Sequence, residues 1–173
     1  MKRLRPLLLP AAAIVLAFAL NTFVLVNIHV PSGSMEPAIP TGAMLLGSRL
    51  AYRTDGPASG DVIVFHHPEA GDSWLIKRVI AGPGQVFAIR EGRVYIDGQL
   101  LPEEYVERFS SDDYPETPVP EGCYIVLGDN RTESGDSRVW EDPFVRREDI
   151  MAQALFVYFP KFHGLQEKNK AWN

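Results

Sequence analysis

Absences narrow the possibilities first. The chain holds one cysteine, Cys123, so no intrachain disulfide can staple it. An extracytoplasmic setting therefore draws no support from cysteine pairing. Cys123 lies in the strand-like run Gly-Cys-Tyr-Ile-Val-Leu, with no charged neighbour to lower its pKa, and reads as a small buried thiol. No clustered basic patch is present, which argues against a nucleic-acid surface. The His-Glu-x-x-His of metallopeptidases is missing, as are Gly-x-Ser-x-Gly and the Walker and dinucleotide glycine patterns. A Ser-His-Asp triad would need His29, His66, His67 or His163. His66-His67 precedes Pro68 at a strand end and reads as exposed. No internal repeat occurs.

Charge is unbalanced in one stretch only. The net charge is -5. Residues 102–120 alone carry Glu103, Glu104, Glu107, Asp112, Asp113 and Glu116 against Arg108. A substrate or partner contact is one reading. A solvated loop is the plainer one, and Pro102, Pro115, Pro118 and Pro120 argue against regular structure there.

One long apolar run is present. Lys2, Arg3 and Arg5 stand in residues 1–6, and Leu7–Ile28 then runs 22 residues without a charge. As a helix that run would span about 33 Å, enough for a bilayer core. Pro10 is tolerated near the helix start. A cleavable secretory signal has a shorter apolar core, so an uncleaved anchor is expected over 7–28, with the basic end in the cytoplasm. Residues 29–160 then form one extracytoplasmic domain, long enough to bury its own core, and 161–173 a polar tail.

That domain reads as mostly β. Ala43–Leu50, Asp61–His66 and Ser73–Ala81 are short apolar or alternating runs divided by Gly, Pro and Asp. Val86–Ile96 reads as a hairpin around Glu91-Gly92, and Asp97-Gly98 is a second turn signal. Tyr124–Leu127 and Ile150–Phe159 add two strands. Coiled antiparallel sheets in one compact domain behind a single N-terminal helix are the expected fold.

Three segments carry candidate chemistry. Pro31-Ser32-Gly33-Ser34-Met35-Glu36 follows the apolar run directly. A serine hydroxyl is a poor nucleophile until a base takes its proton. Lys77 sits among Leu75, Ile76, Val79 and Ile80, and alternation puts its amine on one face with Leu75 and Val79 while Arg78 points the other way into solvent. A lysine acts as base only when neutral, so burial must lower its pKa by several units. The polar loop Gly-Asp-Asn-Arg-Thr-Glu-Ser-Gly-Asp-Ser-Arg occupies 128–138. Read singly, the serines form an ordinary turn, the lysine snorkels to the surface, and the loop is a polar turn before a strand.

Taken together, in the order anchor, serine, lysine, loop, these segments resemble the bacterial type I signal peptidases, also called leader peptidases. These are membrane-anchored serine–lysine endopeptidases. The resemblance extends from the anchor to about Arg138. It implies Ser34 as nucleophile and Lys77 as general base. It implies oxyanion donors at the Ser34 backbone N–H and the Ser32 hydroxyl, and Ser134 orienting the lysine amine. Asp136 and Arg138 shape the site, with Asp129, Asn130 and Arg131 as loop scaffolding. No metal or organic cofactor is implied. The implied partners are the signal peptides of exported preproteins, with small residues at -1 and -3, and the lipid bilayer of the cell membrane. The cleavage segment is expected to add as a strand beside Val30–Ser34 and Leu75–Lys77. Two departures stand out: Ala38 where the family often has threonine, and Gln85 where aspartate is common. The large inserted domain of some relatives is lacking. A specialised maturation peptidase of a conjugation or pilus system remains an alternative, as does an inactive, membrane-tethered β-domain that binds export partners. The sequence carries no sign of oligomeric state.

Overall fold

The structure is a computed structural model that describes residues 5–165, with side chains from Pro10 onward. Lys2, Arg3 and the end of the polar tail, 166–173, lie outside the described residues. The chain opens with α1 (Arg5–Phe23) and continues into β1 (Leu25–His29) and β2 (Met44–Ser48). Then come β3 (Val62–His66), β4 (Trp74–Ala81), β5 (Val86–Arg90), β6 (Arg93–Ile96) and β7 (Gln99–Leu100). The last elements are β8 (Tyr114–Pro118), β9 (Cys123–Leu127), β10 (Val145–Arg146), β11 (Ile150–Phe159) and β12 (His163–Gly164).

The strands build two antiparallel sheets. The larger has the order β1-β2-β11-β3-β4-β9-β10, with β12 added to β11. The smaller has the order β7-β6-β5-β8. Two apolar clusters fill the larger sheet, one around Val30, Met35, Leu45, Val64 and Val157, the other around Tyr52, Phe65, Val79 and Val126. A third, around Phe87, Val94, Ile125 and Leu127, joins the smaller sheet to β9. The hairpin turns follow their residues. Glu91 and Gly92 have φ of 50° and 72°, and Asp97 and Gly98 have 51° and 77°. Positive φ at both central positions is what a tight two-residue hairpin requires.

Four expectations change. The N-terminal helix ends at Phe23, and Leu25–His29 pairs residue by residue with Ser48–Met44. The apolar run is therefore split, because its last residues satisfy the backbone of β2, which would otherwise be an open edge. Among the described residues, no helix is long and apolar enough to cross a membrane. The domain also extends past Phe159: His163 and Gly164 pair with Val157 and Phe156, and Leu165 is buried. The acidic stretch is not wholly a free loop. Pro115 and Pro118 sit in β8, an edge strand that pairs only with β5, where a missing N–H is tolerated, while Pro102 and Pro120 lie outside strands. Finally, His67 is buried rather than exposed. Its ring stacks on Trp140 at 4.0 Å, and its Nε2 lies 3.2 Å from the Asp142 carbonyl oxygen. Cys123 is partly buried, and burial raises its pKa, as expected of an inert thiol.

Phe87 is fully buried where β5 meets β9. Phe87→Ala should lower the unfolding free energy by about 3–5 kcal/mol, read from the urea midpoint at constant slope.

Candidate active site

The turn that carries the serines is shaped locally. Val30 N–H donates to the Ala43 carbonyl at 2.9 Å, and Gly42 N–H returns to the Val30 carbonyl at 2.8 Å. Glu36 N–H donates to the Gly33 carbonyl at 3.1 Å, and Ile39 N–H to the Met35 carbonyl at 2.8 Å. Met35 and Ile39 are buried and pin the turn to the core. The Glu36 carboxylate accepts from Thr41 N–H at 3.1 Å and Thr41 Oγ1 at 2.8 Å, bonds that lower its pKa. Ser34 is held nearly buried, while Ser32 faces solvent with its Oγ 3.4 Å from Ser34 Oγ.

Lys77 reaches this turn from β4. Its Nζ lies 2.7 Å from Ser34 Oγ, and the residue is only 3% exposed. Burial lowers its pKa from 10.5 to about 8. Asp136 and Asp129 oppose the shift, and Arg138 adds to it. The result is an amine that is partly neutral near physiological pH and already in contact with a hydroxyl.

The 128–138 loop clamps the serine turn from behind. Asn130 N–H donates to the Ser34 carbonyl at 3.1 Å, and Asn130 Nδ2 to the Gly33 carbonyl at 3.2 Å. The loop is fixed by buried charge. Asp136 accepts from Gly128 N–H at 3.0 Å and from Arg138 Nε at 2.8 Å. Arg138 also reaches Asp112 at 2.9 Å and the Arg131 carbonyl at 2.9 Å. Arg131 is paired with Glu103, its Nη1 donating to Oε2 at 2.9 Å. Asp129 takes Arg78 Nε at 2.9 Å and Nη2 at 2.6 Å.

One expectation is corrected here. Arg78 is 2% exposed, not solvated. Besides Asp129 it donates to the Gly60 carbonyl at 2.9 Å and lies over the Tyr105 ring at 4.2 Å. Those partners come from distant segments, so strand alternation gave no sign of them. Ser134 does not bond the lysine amine in this conformation. Its Oγ is buried with no hydrogen-bond partner among the described residues. It packs instead against Gly128, where a Cβ would come within 2.2 Å of Ser134 Oγ and 2.4 Å of the Ser34 carbonyl oxygen.

Sequence reasoning missed three residues that shape the site. Gly128 is one: only a missing side chain lets the loop approach the serine turn so closely. A glycine closing the apolar run 124–127 was the available signal. Arg78 and Glu103 are the others, and for them the sequence offered none.

The open side of the dyad is a groove of about 620 Å³. Ser34 and Lys77 line one end, and Val26, Ile28, Val64 and Trp74 are among its other walls. All of residues 26–32 and 72–77 contribute to its lining. Among the described residues no group of acidic, cysteine or histidine side chains could hold a metal ion.

Two substitutions check this construction. Glu103→Ala should cost about 3–5 kcal/mol in urea unfolding, because it strips the carboxylate from a buried guanidinium; a solvated acidic residue would cost under about 0.5 kcal/mol. Gly128→Ala should cost about 1–3 kcal/mol, since the methyl group meets backbone that cannot move aside cheaply.

Known proteins are similar to this chain. The family model described as signal peptidase, peptidase S26, matches residues 3–159. Probable signal peptidase I-1 of Synechocystis sp. is 42% identical over 163 residues, covering 90% of this chain and 81% of that protein. Signal peptidase I of Leptolyngbya laminosa is 38% identical over 157 residues, covering 86% of this chain and 75% of that protein. A crystal structure of a signal peptidase I from Enterococcus faecalis has 31% identity and a TM-score of 0.48, covering 56% of this chain and 95% of that chain. The chain belongs to the signal peptidase family, peptidase S26, and is a serine endopeptidase.

Proposed function

We propose that Ser34 is the nucleophile of this peptidase and Lys77 its general base. The reaction is removal of signal peptides from preproteins. The observation that carries the assignment is the 2.7 Å contact between the Ser34 hydroxyl and a buried lysine amine. In its neutral form Lys77 Nζ accepts the Ser34 proton as Oγ attacks the scissile carbonyl carbon. The oxyanion that forms draws hydrogen bonds from the Ser34 backbone N–H and the Ser32 hydroxyl. Protonated Lys77 then delivers its proton to the leaving amine, and the acyl-serine ester remains. Water, deprotonated by the same amine, cleaves that ester and frees Ser34.

Asp136 and Arg138 act through the loop, since their mutual bonds support its clamp on the serine turn. Ser134 stands ready as a further partner for the amine: its buried hydroxyl lacks a bond, a costly state that a rotation toward the protonated lysine would relieve. The groove takes the segment before the scissile bond as an added strand, and its apolar walls near Ser34 suit small side chains.

The membrane part of the reading rests on α1. Ile14, Val15, Leu16, Phe18 and Phe23 are all largely exposed, so the helix covers no core. A helix whose described side chains, Asn21 and Thr22 apart, are apolar and cover no core suits a lipid environment, and the uncharged run Leu7–Ile28 carries its spanning role although no described helix is long and apolar enough by itself. The basic residues at its start favour a cytoplasmic N-terminus, with the β domain on the outer face of the membrane. The domain is read as beginning with β1 and ending near Leu165.

Two measurements test the dyad. First, cleavage of a preprotein bearing an Ala-x-Ala site should rise with pH, following an apparent pKa near 8, because deprotonation of Lys77 creates the base. Arginine cannot deprotonate in this range. Lys77→Arg should therefore be as inactive as Ser34→Ala while circular dichroism reports a folded domain. Substantial turnover by folded Lys77→Arg sinks the assignment. Second, folding disfavours the charged amine, so stability should rise as pH climbs from about 8 toward 10.5. Lys77→Met should accordingly be more stable than the parent at pH 7, by on the order of 1–3 kcal/mol, with the gain shrinking toward pH 10.5.

A further inference from the structure

We propose that Trp74 is a specificity-determining residue that receives an apolar substrate side chain several residues before the scissile bond. This rests on the reading of the groove given above and adds a contact remote from the dyad. The register of β3 and β4 pairs Val64 with Ile76 and His66 with Trp74. Residues two apart on a strand share a face, so Trp74 continues the surface begun by Ile76. Both line the groove, yet their burial differs: Ile76 is 9% exposed and Trp74 is 52% exposed. The indole is nonetheless held in place. It meets the His66 ring edge-on, with centroids 5.7 Å apart and planes at 82°. Across the groove stand the partly buried Val26 and Ile28 of β1. A large aromatic face, fixed and uncovered, thus lines the same groove as Ser34, three residues along β4 from Lys77.

Distance sets which substrate residue meets it. Lys77 and Trp74 are three residues apart on one strand, about 10 Å at roughly 3.4 Å per residue. A chain laid in the groove as an added strand, with its -1 residue at Lys77, brings a residue near -4 to the indole. An apolar side chain there would cover exposed ring surface, a gain that the indole face does not offer to a polar one.

The test uses the full chain in detergent and synthetic peptides with alanine at -1 and -3. Leucine and asparagine are compared in turn at each position from -4 to -7 and at +1 and +2. The reading is the Leu/Asn ratio of kcat/KM within each protein, which cancels any difference in folded fraction. The parent enzyme should favour leucine about tenfold at one or two positions from -4 to -6, chiefly through KM. Trp74→Ala should bring that ratio below about twofold, and Trp74→Phe should keep most of it. A flat profile in the parent, a preference confined to +1 or +2, or a preference that survives Trp74→Ala would each overturn the role of Trp74 while leaving the dyad intact. Failure of the parent to cut any peptide at the alanine site would overturn the reading of the groove itself.

Discussion

Everything at the active end of this molecule depends on keeping one ammonium group out of water. Lys77 is surrounded by the apolar side of the large sheet, and burial alone accounts for most of the drop in its pKa. An isolated buried charge would destabilise the domain; a buried amine that sheds its proton does not carry that full cost. Ser34 Oγ is the polar partner that the neutral amine needs. The contact is therefore both the means of placing a base and the way a polar group is satisfied in a core.

Such a contact is useful only if the backbone around it cannot drift. Three strands and a loop converge on the problem. β1 and β2 fix the entry and exit of the serine turn, β4 carries the lysine, and the loop after β9 closes behind both. That loop lacks regular structure, yet three arginine–carboxylate pairs hold it, and their side chains are mostly buried. Arg138 and Arg131 reach Asp112 and Glu103, which belong to the acidic stretch beside the smaller sheet. The smaller sheet is thereby bonded to the site without supplying any reacting group. Charge that reads as a solvated loop in the sequence is, in the fold, part of the internal framework of the 128–138 loop.

The helix and the groove are linked by one residue. α1 ends at Phe23 and β1 starts at Leu25, so the wall of the groove begins where the apolar helix stops. Backbone pairing of β1 with β2 makes this junction part of the sheet rather than a tether. The position of that wall is set by the sheet's own hydrogen bonds.

The strands were legible because their signals are local. Alternation, apolar runs and turn residues such as Glu91-Gly92 and Asp97-Gly98 act over a few residues, and the structure has strands where those patterns predicted them. Ser34 and Lys77 were legible only in combination: singly they read as a turn serine and a snorkelling lysine, and the resemblance carried by the three segments together supplied their roles. Their contact, and the size of the lysine's pKa shift, belong to tertiary structure, since both depend on residues 43 apart in the chain folding together. The sequence could not show that the apolar run divides at Phe23, because helix and strand are both open to such residues until β2 offers an unpaired edge. Nor could it show that Arg78 and Glu103 are buried. A charged residue goes inside only when an opposite charge meets it there, and the partners Asp129 and Arg131 lie 51 and 28 residues away. Local pattern determined which elements form; long-range pairing of charges and strand edges decided what those elements enclose.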